Sequence, residues 1–285
     1  MFDRIVSSHN LIPRLTDTDF WRLPIGLGLR NQQIGSDIRA SSPVGVFGLK
    51  GSGKTNALLQ LIVSALTRGI RVVVIDRQDH GEKYLGLLPY LECLAVDDYA
   101  LAVTLLLIHT KMLERTRACV RHDVDNVDDL PKSKKESVHT EPILIVIDGV
   151  EAISSQFQAA VSELMSDPLL SSLNIFVAFS VAEPWKSTSR EARRNMGDVL
   201  ALKPPLSPDD VTEMFPDRPA EVSYAKAGLA YEAAGFGLYQ SIDGNTRGVE
   251  ISDTGASDLP AILASFRVPQ PEHWDVIRSE VDWRW

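Results

Sequence analysis

The sequence predicts an α/β fold, a mainly parallel sheet covered by helices on both faces. Three observations carry that prediction. Short apolar runs rich in β-branched residues recur along the chain, among them VVVID at 72–76, ILIVID at 143–148 and NIFVAFS at 174–180. They are apolar throughout instead of alternating, as strands buried on both faces are. Segments of helical apolar spacing lie between them, the pattern of parallel strands joined by crossover helices.

The bulk numbers fit a large globular unit. The chain has 285 residues, 44% of them hydrophobic and 24% charged. That suits one large domain, or a domain with an appendage. The net charge of −9 counts against a DNA-gripping surface without excluding a local basic groove. Cys93 and Cys119 have no CxxC spacing and no His cluster beside them. A disulfide framework and a zinc site are therefore not expected, and a reducing cytosol is. The N-terminal MFDRIVSSHNLIPRL lacks the apolar core of a signal peptide. The longest apolar runs, such as LAVTLLLI at 101–108, are too short to span a bilayer. Membrane association is expected only through partner subunits.

Taken in order, residues 1–30 read as a lead-in whose WRLPIGLGL stretch lies extended along a domain edge. Val44–Gly48 reads as a buried strand. Gly53 to Arg68 has apolar residues at 58, 59, 62, 63 and 66, a helix stopped by Gly69. Arg71–Asp79 and Cys93–Asp98 read as further strands. Tyr99–Ala118 reads as a long helix with Asp98 as its N-cap. Arg121–Pro142 is highly charged without a sustained apolar period and reads as a surface loop. Strands follow at Ile143–Asp148, Asn174–Ser180 and Asp198–Lys203. Beyond Pro205 the pattern changes to a short capped helix, Ser207–Phe215. A strand, turn and strand follow over Gly228–Ile242, with glycines at the bend.

The chemistry-bearing motif is Gly48-Leu49-Lys50-Gly51-Ser52-Gly53-Lys54-Thr55, a full GxxxxGK[ST] between a strand and a helix. Gly51 and Gly53 let the backbone curl so that successive N–H groups converge on an anion. The helix N-terminus adds a positive dipole end. Lys54 reaches β- and γ-phosphates, and Thr55 offers its hydroxyl to Mg²⁺. With Asn56 behind it, this stretch is the predicted ATP-binding loop. No NKxD-type guanine reader accompanies it, which favours ATP.

Asp148, ending a buried strand, is the candidate to hold Mg²⁺ through water. Asp76 also ends an apolar strand and competes for that role. Its alternatives are a place near the nucleotide, a subunit edge or a strand-end turn. Hydrolysis further needs a base or a polarising carboxylate close to the attacking water. In many such ATPases that is a Glu directly after the metal Asp, and here the position is Gly149. Glu151 is the candidate base, its alternative being a favourable charge at a helix start. Ser180 is the candidate γ-phosphate sensor, its alternative being a plain strand end.

WRLPIGLGL, VFGLKGSGKTNAL, VVVIDRQ and PILIVIDGVEAI, in that order, resemble the FtsK/SpoIIIE-type ATPase domains of type VII secretion, above all the last domain of the EccC/EssC tandem ATPases. The resemblance covers roughly residues 20–245. It implies a RecA-like (ASCE) P-loop NTPase core, assigned to 31–250, with a strand between those of the phosphate loop and the acid; residues 251–285 read, from their aromatics, as a tail packed on that core. It further implies ATP with Mg²⁺, often with poor hydrolysis, in a cytoplasmic module peripheral to the membrane through a larger complex. The partners it implies are other ATPase domains or subunits and the C-terminal segment of a WXG-type secreted protein. Asp148-Gly149 replaces the family's acidic pair, and Gly228-Leu229-Ala230 replaces a late Gly-Arg-Gly. The competing reading is an active DNA translocase of the FtsK/conjugative class. Arg190, Arg193 and Arg194 share a face if helical, as an arginine finger, a phosphate path or a solvated surface. Trp274, Trp283 and Trp285 suit packing onto the domain or a partner contact.

Overall fold

The computed structural model describes residues 20–28, 32–182, 195–202, 234–251, 259–264, 266, 268 and 271. The elements in chain order are β1 (Arg22–Gly28), β2 (Gln33–Asp37), α1 (Ile38–Ser41), β3 (Val44–Phe47), α2 (Lys54–Thr67), β4 (Arg71–Asp76), β5 (Cys93–Ala95) and α3 (Asp98–His122). There follow α4 (Lys132–Val138), β6 (Ile143–Asp148), α5 (Ser155–Ser166), β7 (Ile175–Val181), β8 (Val199–Leu202), β9 (Phe236–Gln240), β10 (Thr246–Glu250) and α6 (Leu259–Ala264).

The strands form one sheet in the order β2-β1-β10-β9-β8-β3-β7-β6-β4-β5. From β8 to β5 every pairing is parallel, and from β8 outward to β2 every pairing is antiparallel. The WRLPIGLGL stretch is thus built into the sheet as β1, hydrogen-bonded on both sides. β7 lies between β3 and β6, so a strand separates the phosphate loop from Asp148. This is the mainly parallel, RecA-like α/β architecture expected.

The strict period of two along buried strands divides the core. Val72, Val74, Leu144, Val146, Phe176 and Ala178 face α2, whereas Val73, Ile75, Ile145, Ile147, Val177 and Phe179 face α3 and α5. α2 runs between the sheet and α6 and is buried nearly all round. Arg68 and Gly69, the latter at φ +77°, end it with N–H bonds back to Ala65 and Leu66, a glycine-dependent stop.

At the N-terminal ends of the central strands, the wholly buried Arg115 of α3 donates to the carbonyls of Leu173 (2.7 Å), Asn174 (3.3 Å), Glu141 (2.8 Å) and His139. Burial pushes its guanidinium down to about 10. The carbonyls belong to the residues leading into β6 and β7, so one side chain gathers both strand starts.

Several local expectations are corrected. The α3 N-cap is Asp97, whose carboxylate accepts from the Ala100 N–H at 2.7 Å, and Asp98 is the first helical residue. The helix runs to His122, longer than the apolar spacing indicated. Residues 121–142 are not a loop throughout: they hold a 3₁₀ turn at Val127–Asp129 and then α4. α4 buries nothing, which is why no apolar period marks it. β4 ends at Asp76 and β5 at Ala95, short of Asp79 and Asp98. Of the strand, turn and strand read over Gly228–Ile242, the turn at 234–235 and the strand Phe236–Gln240 are present, 228–233 lie outside the described residues, and a further bend at 241–245 leads into β10. Ser207–Phe215, Gly228–Ala230, the arginines at 190, 193 and 194, and the tryptophans at 274, 283 and 285 lie outside the described residues. Among the described residues no helix is long and apolar enough to cross a membrane.

Candidate nucleotide site

The loop from Gly48 to Gly53 leaves the C-terminal end of β3 and turns into α2. A Cβ on Gly48 would lie 2.4 Å from the Leu202 carbonyl oxygen and 2.4 Å from the Ser52 hydroxyl, so only glycine fits. Gly53 has φ +102°, which strongly favours glycine, and it backs onto the Gly235 N–H. No side chain caps α2, as suits a helix N-terminus that receives an anion.

Lys54 opens α2 and is 8% exposed. Its ammonium donates to the carbonyls of Gly48 at 2.8 Å and Leu49 at 3.4 Å. Burial lowers its pKa, while Glu151, Asp148 and Asp79 pull it back up. One residue on, Thr55 donates its hydroxyl to Oδ2 of Asp148 at 2.8 Å.

Asp148 is the hub. Besides Thr55, its Oδ2 accepts from the Tyr84 hydroxyl at 2.8 Å, and its Oδ1 accepts from Ser180 at 2.5 Å. Ser180 in turn accepts the Gly149 N–H at 2.9 Å. Helix α2, strand β7 and the 3₁₀ segment Glu82–Tyr90 thus fix one carboxylate at the end of β6. A threonine hydroxyl beside a strand-end carboxylate is an oxygen donor pair suited to a hard divalent cation. Among the described residues no group of three or more His, Cys, Asp or Glu could hold a metal by itself.

Asp76 faces elsewhere. Its Oδ1 accepts the N–H groups of Gln78 (3.0 Å) and Asp79 (3.1 Å), and its Oδ2 that of Gly81 (2.9 Å). Burial raises its pKa against those bonds. It is the organiser of the turn after β4, one of the alternatives its sequence position allowed. Glu151 sits in a 3₁₀ turn, Val150–Ala152, where its carboxylate accepts the Ala182 N–H at 3.2 Å.

A cleft of about 410 Å³ opens over the loop. Of the predicted residues, Lys50, Gly51, Gly53, Lys54, Thr55, Asn56 and Asp148 line it, whereas Gly48, Leu49, Ser52, Ser180 and Glu151 do not. Ser52 is buried with its hydroxyl unpartnered among the described residues. Sequence reasoning missed Gln78, Asp79 and Lys83, which close one side of the cleft, and Gly235 and Ile251, which close another. The second wall is tied to the loop: Gly235 donates to the Ser52 carbonyl at 2.8 Å and accepts from Ile251 at 2.7 Å. The polar run RQDHGEK directly after a buried strand was the signal for the first wall. No local pattern announces the second.

Comparison with solved structures follows this geometry. The chain superposes on the cytoplasmic domain of the Thermomonospora curvata type VII secretion ATPase EccC with a TM-score of 0.70 at 16% identity, covering 94% of this chain and 33% of that one. It matches EssC (ATPases 2 and 3) from Geobacillus thermodenitrificans with a TM-score of 0.68 at 14% identity, covering 90% and 51%. This chain has the fold of the EccC/EssC ATPase domains. The pCW3 conjugation coupling protein TcpA, solved with ATPγS, shares that fold (TM-score 0.69, 14% identity, 88% and 72% covered). A further T. curvata structure, EccC ATPases 2 and 3, holds a signal sequence peptide (TM-score 0.65, 15% identity, 89% and 49% covered). The chain therefore spans between a third and about half of these EccC and EssC structures. No protein-family profile and no curated protein matches it.

Proposed function

We propose that this chain is an ATP-binding domain of the FtsK/SpoIIIE type in a type VII-like protein secretion ATPase, with slow or absent hydrolysis. The observation that carries the reading is Asp148: a carboxylate held by Thr55, Tyr84 and Ser180 at the mouth of a glycine loop, and followed by Gly149 where many such ATPases carry a glutamate. Gly51, Gly53 and the start of α2 would cradle the phosphates, and Lys54 would turn from the loop carbonyls onto them. Thr55 and, through water, Asp148 would hold Mg²⁺, which supplies positive charge against the β- and γ-phosphates.

In this reading the nucleotide couples to assembly with other ATPase domains or to docking of a substrate's C-terminal segment. The multi-domain EccC and EssC structures and the peptide-bound EccC structure support that direction. The domain would work on the cytoplasmic side of a membrane, through partners. An active DNA translocase is the second reading, favoured by the fold shared with TcpA and opposed by the net charge of −9.

Two measurements test the proposal. The protein is purified without added nucleotide, and whatever it retains is identified. Retained intact ATP with Mg²⁺ is the expected result. Steady-state ATPase activity is then measured with and without DNA, and a strong DNA-stimulated rate abolished by Lys54→Ala would replace the first reading with the second.

A further inference from the structure

We propose that Gln78, reaching across from the neighbouring strand, holds the water that attacks the γ-phosphate, in the place that a side chain on residue 149 would otherwise fill. The inference rests on the ATP-binding reading above and adds how turnover occurs there.

The argument begins with register. β4 and β6 pair in parallel with Asp76 opposite Asp148, so the chain leaves both strands side by side. Asp76 then bends its own strand's exit by taking three N–H groups, one of them from Gln78. That turn brings Gln78 beside Gly149. A Cβ built on Gly149 would lie 2.7 Å from Oε1 and 3.2 Å from Cβ of Gln78. Gly149 itself has φ +75°, a conformation that other residues adopt at a cost. The volume next to the metal-side acid is therefore filled, but from β4 instead of β6. Gln78 also lines the same cleft as Lys54, Thr55 and Asp148.

The chemistry of the group fits the position. A carboxamide accepts through Oε1 and donates through Nε2, so it can orient a water against a phosphoryl oxygen. It cannot take a proton at neutral pH, unlike a carboxylate. In the step, the water oxygen bonds to the γ-phosphorus as the bridging P–O bond breaks, and the electron pair leaves on ADP. One water proton remains on the phosphate formed and the other passes to solvent. Orientation without a base gives a slow rate, as with the water-orienting glutamine of GTPases before an activator arrives. Glu151, the competing group, is spent on the Ala182 N–H and lies outside the cleft lining.

The test separates binding from turnover. A non-hydrolysable fluorescent ATP analogue with Mg²⁺ measures binding. Phosphate release under single-turnover conditions, with protein in excess, measures chemistry. Gln78→Ala is expected to bind the analogue within about twofold of wild type and to lose on the order of tenfold or more in phosphate release. Gln78→Glu is expected to gain rate, with a pH profile that acquires a new acid limb from the introduced carboxylate. A Gln78→Ala variant that releases phosphate at the wild-type rate would overturn the proposal alone. So would a wild type that binds the analogue yet releases nothing, or a loss confined to Glu151→Gln. Failure of wild type to bind the analogue would remove the ATP-binding reading, and this inference with it.

Discussion

The Tyr84 hydroxyl donates to Oδ2 of Asp148 at 2.8 Å from a ring that no solvent reaches. The two residues come from different layers of the fold, a 3₁₀ segment and a central strand. Tyr84→Phe removes the hydroxyl and keeps the ring. Because the partner is a carboxylate, the loss is expected to be about 1.5–3 kcal/mol of stability. Urea titration of the variant checks this. Binding of ATP with Mg²⁺ should weaken as well, since Asp148 loses one of three anchors, and calorimetry reads that effect.

Gln60 is a second buried polar group with the opposite problem. It lies in α2, fully buried, and both its Oε1 and Nε2 are unpartnered among the described residues. An uncompensated buried amide costs about 1–3 kcal/mol by mutational measure. Gln60→Met keeps the length and removes the polar atoms. It is expected to stabilise the protein by that order, seen as a rise in the urea midpoint at unchanged slope.

The alkaline limb of stability follows from two tyrosines. Burial, then the charges of Asp148 and Asp198 respectively, raises Tyr84 and Tyr239 above their ordinary value of 10.0. Above that pH the unfolded chain has released these protons while the folded chain still holds them. Stability from the pair is thus complete below the ordinary value and is lost as pH rises past it. Arg115, pushed down to about 10, acts the other way over the same range, because the unfolded state then binds the extra proton. Denaturation followed from pH 8 to 11 should show a fall in wild type that is shallower in Tyr239→Phe.

Lys54→Ala should remove nucleotide binding without unfolding the chain. Its ammonium serves only the loop carbonyls of Gly48 and Leu49 among its hydrogen bonds here, so little of the core depends on it. Saturating ATP with Mg²⁺, at about 100 times its dissociation constant, adds about 2.7 kcal/mol to a binding protein. Wild type should show that as a higher melting temperature, and the variant should not shift.

Legibility tracked how local each feature is. The strand, glycine loop and helix around Thr55 were readable because they are contiguous in sequence, and the strand end at Asp148 was readable from its own apolar run. The buried strands β3, β4, β6 and β7 were readable from unbroken apolar runs. β2 went unread because QIGSD has too little apolar character to signal a strand. β10 and the bend that leads into it went unread because TRGVE has too little apolar character to signal a strand. Asp97 and Asp98 are adjacent acids, and only backbone geometry decides which of them caps. Tyr84 and Gln78 could not be assigned to the site, since their place depends on β4 lying next to β6 and on the turn that Asp76 imposes.

Arg115 divides the behaviour of the sheet into two ends. Its guanidinium ties the starts of β6 and β7 to the segment that holds α4, far from the glycine loop at their finish. The molecule accordingly has a riveted base and a working rim. In the ATP-binding reading, a neighbour placed against the rim, where Gln78, Lys83 and Gly235 line the cleft, would be positioned to feel a triphosphate come and go.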